Sequence, residues 1–328
     1  MHDRHDAHRD RHFHLASEVD QAPIFVRKWS PPCGIGARAT VQITHGVAEH
    51  SGRYDRFARF LAAEGCVAYG IDLRGHGHTA PPGKLGQAGI NAWADMTADL
   101  KQLADIIRSE NAGLPLIAFG HSMGSGLIQS HIQNHGDLLA GAILCGSFGA
   151  LPGVDEDQYQ SALAELRVLA TGPQADEPSA TYSSGLATLN APFIADVAHP
   201  TGCEWQTSDP DEIQKFLSDP LCGQPFSNSM FYSLVTGVHD LWLPENESRV
   251  PRALPILIVA GTDDPVGVKT TTIQALITRY MRQGQLALEY RFYPSGRHEI
   301  LNEAEKGRVH RDVAHWLYQS LDEPTTEV

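Results

Sequence analysis

Apolar residues recur along this chain in two rhythms. Short runs at 24–29, 39–44, 66–71, 114–119, 141–145, 254–260 and 288–293 predict strands, most of them apolar at successive positions as expected of strands covered on both faces. Between them, apolar residues fall three and four apart. Phe57, Phe60 and Leu61 mark a helix over 56–63. Trp93, Met96, Leu100, Leu103, Ile106 and Ile107 mark a longer one. Leu127, Ile128 and Ile132 follow the 114–119 run, residues 273–281 form a further helix, and Val309, Val313, Trp316 and Leu317 mark the last. At the front, 13–19 and 24–29 flank Asp20-Gln21-Ala22-Pro23, a hairpin turn by composition.

Strands alternating with helices imply right-handed crossovers and a mostly parallel sheet flanked by helices, an α/β fold, with the leading hairpin antiparallel at one edge. Residues 148–250 break the rhythm. They are rich in Pro, Gly, Ser, Thr and Asp, with two short helical stripes: Tyr159, Leu163, Leu166 and Leu169, then Ile213, Phe216 and Leu217. This organises the chain as a core of 13–147 plus 251–328, with 148–250 inserted as a cap over the carboxyl edge, where open parallel sheets carry their active sites. The insertion brings Phe148, Phe193, Trp205, Phe226, Phe231 and Trp242, more aromatics than a crossover needs, and so predicts an apolar roof.

Residues 1–12 carry His2, His5, His8 and His12 among Asp and Arg and read as a disordered arm or tag. The formal net charge of −14 repels phosphate backbones and argues against nucleic acid. No apolar stretch is long enough to span a bilayer, and the start has no leader pattern, so a cytoplasmic protein is expected. Cys66 and Cys145 sit in apolar runs. Cys203 and Cys222 share one segment, where a pairing is conceivable, although the cysteine usage is that of a reducing compartment. No spaced His, Cys and carboxylate set predicts a metal, and no cofactor is expected.

The chemistry is concentrated in Gly120-His121-Ser122-Met123-Gly124, the one G-x-S-x-G in the chain, between a predicted strand and a predicted helix. A sharp strand-to-helix turn exposes a serine, and crowding admits only small residues two before and two after it. The base then belongs after the last strand, and His298 stands there. His121 is expected to pack, and His310 and His315, on the last helix, to face solvent. The acid belongs after the 254–260 strand, where Gly261-Thr262-Asp263-Asp264-Pro265 offers Asp263 and Asp264. Oxyanion donors are expected from the backbone N–H of Met123 and, after an earlier strand, from that of Val47 in His45-Gly46-Val47.

Taken together these blocks resemble the monoacylglycerol lipase and lysophospholipase branch of the α/β-hydrolases. His45 to Tyr54 is similar to its H-G-x-x-E-H-S-x-R-Y loop, and Asp72-Leu73-Arg74-Gly75-His76-Gly77 to its D-x-R-G-H-G turn. Gly120–Gly124 resembles its elbow, and Asp219-Pro220-Leu221 a D-P-L late in the cap. Gly261 to Asp264 fits G-x-x-D with the acid last, which favours Asp264. The resemblance implies an α/β-hydrolase fold with a cap and cofactor-free hydrolysis of a monoester with an apolar part: a monoacylglycerol, a lysophospholipid or an alkyl or aryl ester. Glu49 and Arg53 become candidates for the alcohol side of the pocket. Some members carry a second histidine three residues after the catalytic one. Leu301 stands there, implying a less polar alcohol.

Serine at 122 excludes the dehalogenase and epoxide hydrolase branches, which place aspartate there. Aminopeptidases, cofactor-free haloperoxidases and receptors built on the same fold remain as alternatives.

Overall fold

The computed structural model describes residues 11–322. Eight strands form one sheet: β1 (Arg11–Ala16), β2 (Pro23–Trp29), β3 (Ala39–Thr44), β4 (Cys66–Ile71), β5 (Leu116–His121), β6 (Gly141–Cys145), β7 (Ile256–Gly261) and β8 (Leu288–Tyr293). Their spatial order is β1-β2-β4-β3-β5-β6-β7-β8, with β3 to β8 parallel and the β1–β2 hairpin antiparallel at the edge. This is the expected sheet, and its six parallel strands present their carboxyl ends on one edge.

Alternation along each strand divides the core. Leu116 and Ala118 of β5 face one layer, with α2 (Ala92–Glu110), α3 (Met123–His135) and α9 (Thr271–Arg282). Ile117 and Phe119 face the other, with α1 (Asp55–Ala63) and α10 (Lys306–Asp322). The central strands are buried on both faces, which is why they read as runs rather than alternations.

Between β6 and β7 the chain makes only helices among its regular elements. These are α4 (Glu156–Thr171), α5 (Ala180–Asn190), α6 (Pro210–Ser218), α7 (Asn228–Asp240) and the short α8 (Pro244–Glu247). Asp155, Ser179, Asp209 and Ser227 cap α4 to α7, each side chain accepting a first-turn N–H. Phe226 and Trp205 are buried, whereas Leu217 and Leu151 are exposed, so the apolar stripes of the insertion are only partly used for packing.

Several expectations need correction. The first strand starts at Arg11, inside the expected arm, because Arg11 and His12 pair with Lys28 and Arg27 and the His12 ring stacks on Phe25 at 5.4 Å. It ends at Ala16 because Ser17 opens the hairpin turn, its carbonyl accepting the Gln21 N–H at 2.8 Å. Residues 1–10, with the rest of that arm, lie outside the described residues. His310 is buried against Phe57 and Phe60, not solvent-facing, because α10 packs that side on α1; His315 is exposed. Cys203 and Cys222 are both free. Among the described residues no helix is long and apolar enough to cross a membrane.

Candidate active site

Ser122 sits at the end of β5 with φ 54° and ψ −123°, a backbone conformation rare for a residue with a Cβ. The turn is tight: a Cβ on Gly120 would run into the Gly124 carbonyl, and a Cβ on Gly124 into the Thr44 carbonyl. That crowding accounts for both glycines of the motif. Met123 is the first residue of α3, so its N–H belongs to the helix's unpaired first turn. Across the turn, Val47 follows β3. Among the described residues, neither the Val47 nor the Met123 amide donates to a protein acceptor.

The Val47 loop is held by buried groups. His45 Nε2 accepts the Leu73 N–H at 2.9 Å, so its proton sits on Nδ1, which donates to the Gly46 carbonyl at 2.8 Å. Burial pushes the His45 imidazole below its ordinary value, which keeps it neutral for that pair of contacts. Glu49 Oε1 accepts the Gly46 N–H at 2.6 Å. The D-x-R-G-H-G turn is likewise structural. Asp72 accepts from Ser51 and His78, and Arg74 is clasped by Asp99 and Asp20.

Asp264 follows β7 and His298 follows β8. Both are buried, and His298 Nδ1 lies 3.0 Å from each Asp264 carboxylate oxygen. An ionised carboxylate only accepts, so the proton is on Nδ1 and the Nε2 lone pair is free. Nε2 is buried and, among the described residues, makes no hydrogen bond, Ser122 Oγ included. The carboxylate on His298 Nδ1 is that of Asp264, whereas the Asp263 N–H bonds the Gly296 carbonyl at 2.9 Å. Ser122, Asp264 and His298 therefore follow β5, β7 and β8 at one sheet edge, with β6 between the first two strands and the acid and imidazole already paired.

Glu49, Arg53 and Leu301 are brought together as well, around Glu299. Arg53 Nη1 and Nη2 bond the two oxygens of Glu299 at 2.7 and 2.8 Å, and Nη1 also bonds Glu49 at 2.7 Å. Tyr54 Oη donates to Glu49 at 2.7 Å. His121 bridges onward: Nδ1 is 3.4 Å from Glu49 and Nε2 3.3 Å from the His298 carbonyl. Burial opposes the charge on Glu49, but Arg53 and His121 outweigh it and hold the carboxyl well below its usual range. Burial likewise works against a charged His121, and Glu49 overcomes it, raising the imidazole above its ordinary value. Leu301 is buried in the α1–α10 layer and lines a void of about 10 Å³ beside Glu49, Arg53, His121 and Glu299. The adjacency of Glu299 to His298 was the one available signal for its place in this network.

A groove of about 540 Å³ lies elsewhere, lined by Arg27, Trp29, Arg56, Lys215, Asp219 and neighbours, with none of Ser122, Asp264 or His298. One set of metal-ligating types lies at its rim: His50, Asp219 and Cys222, with ligand atoms within 4.8 Å of one another. His50 Nδ1 accepts the Gly52 N–H at 3.2 Å, which leaves the proton on Nε2, facing Asp219 at 2.9 Å. A metal would need that nitrogen bare. The arrangement serves as a latch between the insertion and the loop after β3, reinforced by the Gly223 N–H to the Ala48 carbonyl at 2.8 Å.

Residues 36–305 match the Hydrolase_4 family, described as serine aminopeptidase, S33. A monoacylglycerol lipase of Mycolicibacterium smegmatis is 25% identical over 312 residues, covering 94% of this chain and 97% of that protein. Among solved structures, a thermostable carboxyl esterase from Bacillus coagulans in complex with glycerol superposes with a TM-score of 0.82 at 27% identity, covering 94% of this chain and 98% of its own. A soluble variant of monoglyceride lipase from Saccharomyces cerevisiae shares the fold, with a TM-score of 0.71 at 20% identity over 97% of each chain. The chain belongs to the Hydrolase_4 (serine aminopeptidase, S33) family of α/β-hydrolases and is a carboxylic ester hydrolase similar to a monoacylglycerol lipase and a carboxyl esterase.

Proposed function

We propose that this chain hydrolyses a monoester with an apolar acyl or aryl part, with Ser122 as nucleophile, His298 as base and Asp264 as its orienting acid. The observation that carries the reading is the His298 imidazole itself. Its Nδ1 is clasped by a buried carboxylate, and its Nε2 is left free at the sheet edge that also carries the strained Ser122. A buried polar atom without a partner is costly unless it has work to do. Hydrogen bonds of this kind often tighten only when substrate is bound.

Ser122 Oγ attacks the ester carbonyl carbon while Nε2 takes its proton. The carbonyl electron pair moves onto oxygen, where the Val47 and Met123 amides receive the charge. The tetrahedral centre collapses, the C–O bond to the alcohol breaks, and the imidazolium returns the proton to the departing alkoxide. Water, deprotonated by Nε2, then attacks the acyl-enzyme, and the acid leaves as Ser122 regains its proton. No step calls for a cofactor or metal. Residues 148–250 act as the cap that bounds the acyl pocket.

Similarity to a monoacylglycerol lipase and to an esterase in complex with glycerol supports the monoester class. The family description favours one rival, hydrolysis of an N-terminal peptide bond. Labelling by a fluorophosphonate probe, followed by rates on monoacylglycerols, p-nitrophenyl esters of increasing chain length and amino-acid p-nitroanilides, separates the two. Labelling lost in Ser122→Ala, with ester turnover far above anilide turnover, is expected. Turnover of the anilides alone would overturn the ester reading.

A further inference from the structure

The cap reaches the base directly. The Trp205 indole, almost fully buried, lies 5.0 Å from the His298 ring at an interplanar angle of 32°. The His298 N–H donates to the Trp205 carbonyl at 3.4 Å, and the Glu299 N–H to the Gln206 carbonyl at 2.6 Å. Arg297 donates to the Glu204 carbonyl at 2.6 Å, and the Ser208 hydroxyl to Glu303 at 2.5 Å. The stretch 204–208 is thus strapped along the loop that carries the imidazole. The Trp205 backbone is fixed in turn: its main-chain N–H donates to Asn190 Oδ1 at 2.9 Å, and Asn190 Nδ2 holds the Glu204 carboxylate at 2.8 Å.

An imidazole held by one carboxylate is fixed at one edge only and can still rock about the Nδ1–carboxylate contact. Rocking carries Nε2 away from the serine, and misplacement by an ångström is expensive in rate. A flat side chain packed against the ring blocks that motion. His121, its ring 4.8 Å from that of His298, is the other ring neighbour. We propose that Trp205 is a positioning residue for His298, so that this strap of the cap is a fixed part of the catalytic site. The inference rests on the reading of His298 as base.

The test compares wild type, Trp205→Leu and Trp205→Phe on one aryl ester, with His298→Gln as a separate control. Trp205→Leu should lower kcat by about tenfold to a hundredfold, with KM within about threefold of wild type. Trp205→Phe, which keeps a flat ring, should recover most of the loss. An unchanged kcat, or a raised KM at unchanged kcat, would overturn the inference and make Trp205 packing or pocket wall. Activity retained in His298→Gln would overturn the base reading instead, whatever Trp205 does.

Discussion

Two charged clusters lie buried within a few residues of each other at the sheet's carboxyl edge, and they are finished differently. In the Glu49–Arg53–Glu299 cluster the carboxylates are met by guanidinium, phenol, imidazole or amide donors. In the Asp264–His298 pair the carboxylate is satisfied, but one ring nitrogen has no partner among the described residues. Buried charge that is fully paired holds structure in place, and breaking it costs stability. Buried polarity left incomplete beside a strained serine is the mark of chemistry. The clusters meet at His121, whose two nitrogens face Glu49 and the His298 carbonyl, so the structural one braces the loop that bears the reactive one.

The largest expected effect tests the incomplete pair. Ser122→Ala and His298→Gln should each lower kcat on an aryl ester by roughly 10⁴-fold or more, and the double variant should fall hardly further, because residues acting as a unit are not additive. Asp264→Asn, which leaves the wrong nitrogen protonated, should cost somewhat less. Thermal unfolding of all three should stay close to wild type. If Asp263→Asn proves more damaging than Asp264→Asn, the pairing is misassigned.

The complete cluster should answer in the opposite currency. Arg53→Met strands Glu49 and Glu299 in a buried site, and removal of one partner from a buried ion pair typically costs about 3–5 kcal/mol. Denaturant unfolding should show that loss, while kcat falls far less than in Ser122→Ala. A variant with wild-type stability and no activity would place Arg53 among the reacting groups.

What was legible follows the same division. The elbow, the two partners and the strand rhythm depend on local chain order and periodicity, which a sequence displays: Gly120 and Gly124 mark the tight turn, and Asp264 and His298 each follow a clear strand. Contacts between distant segments leave no such trace. Glu299 meets Arg53 across 246 positions, and Trp205 reaches His298 from an insertion without a core rhythm. The insertion's helices are amphipathic only in part, because their half-exposed stripes answer to the cap's own packing rather than to the sheet, so only the two short stripes stood out. His310 was misjudged for a related reason: a polar residue on an amphipathic helix is assumed to face water, and its aromatic neighbours lie on another helix.

The contact between the clusters can be sharpened by pH. Glu49 titrates below its ordinary 4.5 when folded, so its contribution is present above pH 4.5 and lost as pH falls through the lower folded value. His121 titrates above its ordinary 6.5, so its contribution is full below pH 6.5 and lost as pH rises through the higher folded value. Their interaction should therefore support the fold most between these limits. The stability gap between wild type and His121→Gln, from denaturant unfolding at several pH values, should be widest near pH 5 to 6 and shrink toward alkaline pH. A gap that widens with rising pH would mean that His121 is neutral in the folded protein.

The smallest expected effect concerns the alcohol side. Leu301 lies next to a void of about 10 Å³ that has room for little more than a water molecule. Glu49 and Arg53, the polar groups nearby, are already engaged with each other and with Glu299. An alcohol seated near them would meet an apolar wall and a satisfied ion network, a setting that rewards alkyl or aryl leaving groups over glycerol. Leu301→His would add a donor there without freeing Arg53. The ratio of kcat/KM for a monoacylglycerol over an alkyl ester of the same acid should rise by about tenfold or less, the scale at which a pocket senses one polar group. Because Leu301 also packs in the α1–α10 layer, unfolding must be measured beside it. A stable variant whose ranking of alcohols matches wild type would remove Leu301 from the pocket and leave the alcohol to be chosen by the cap.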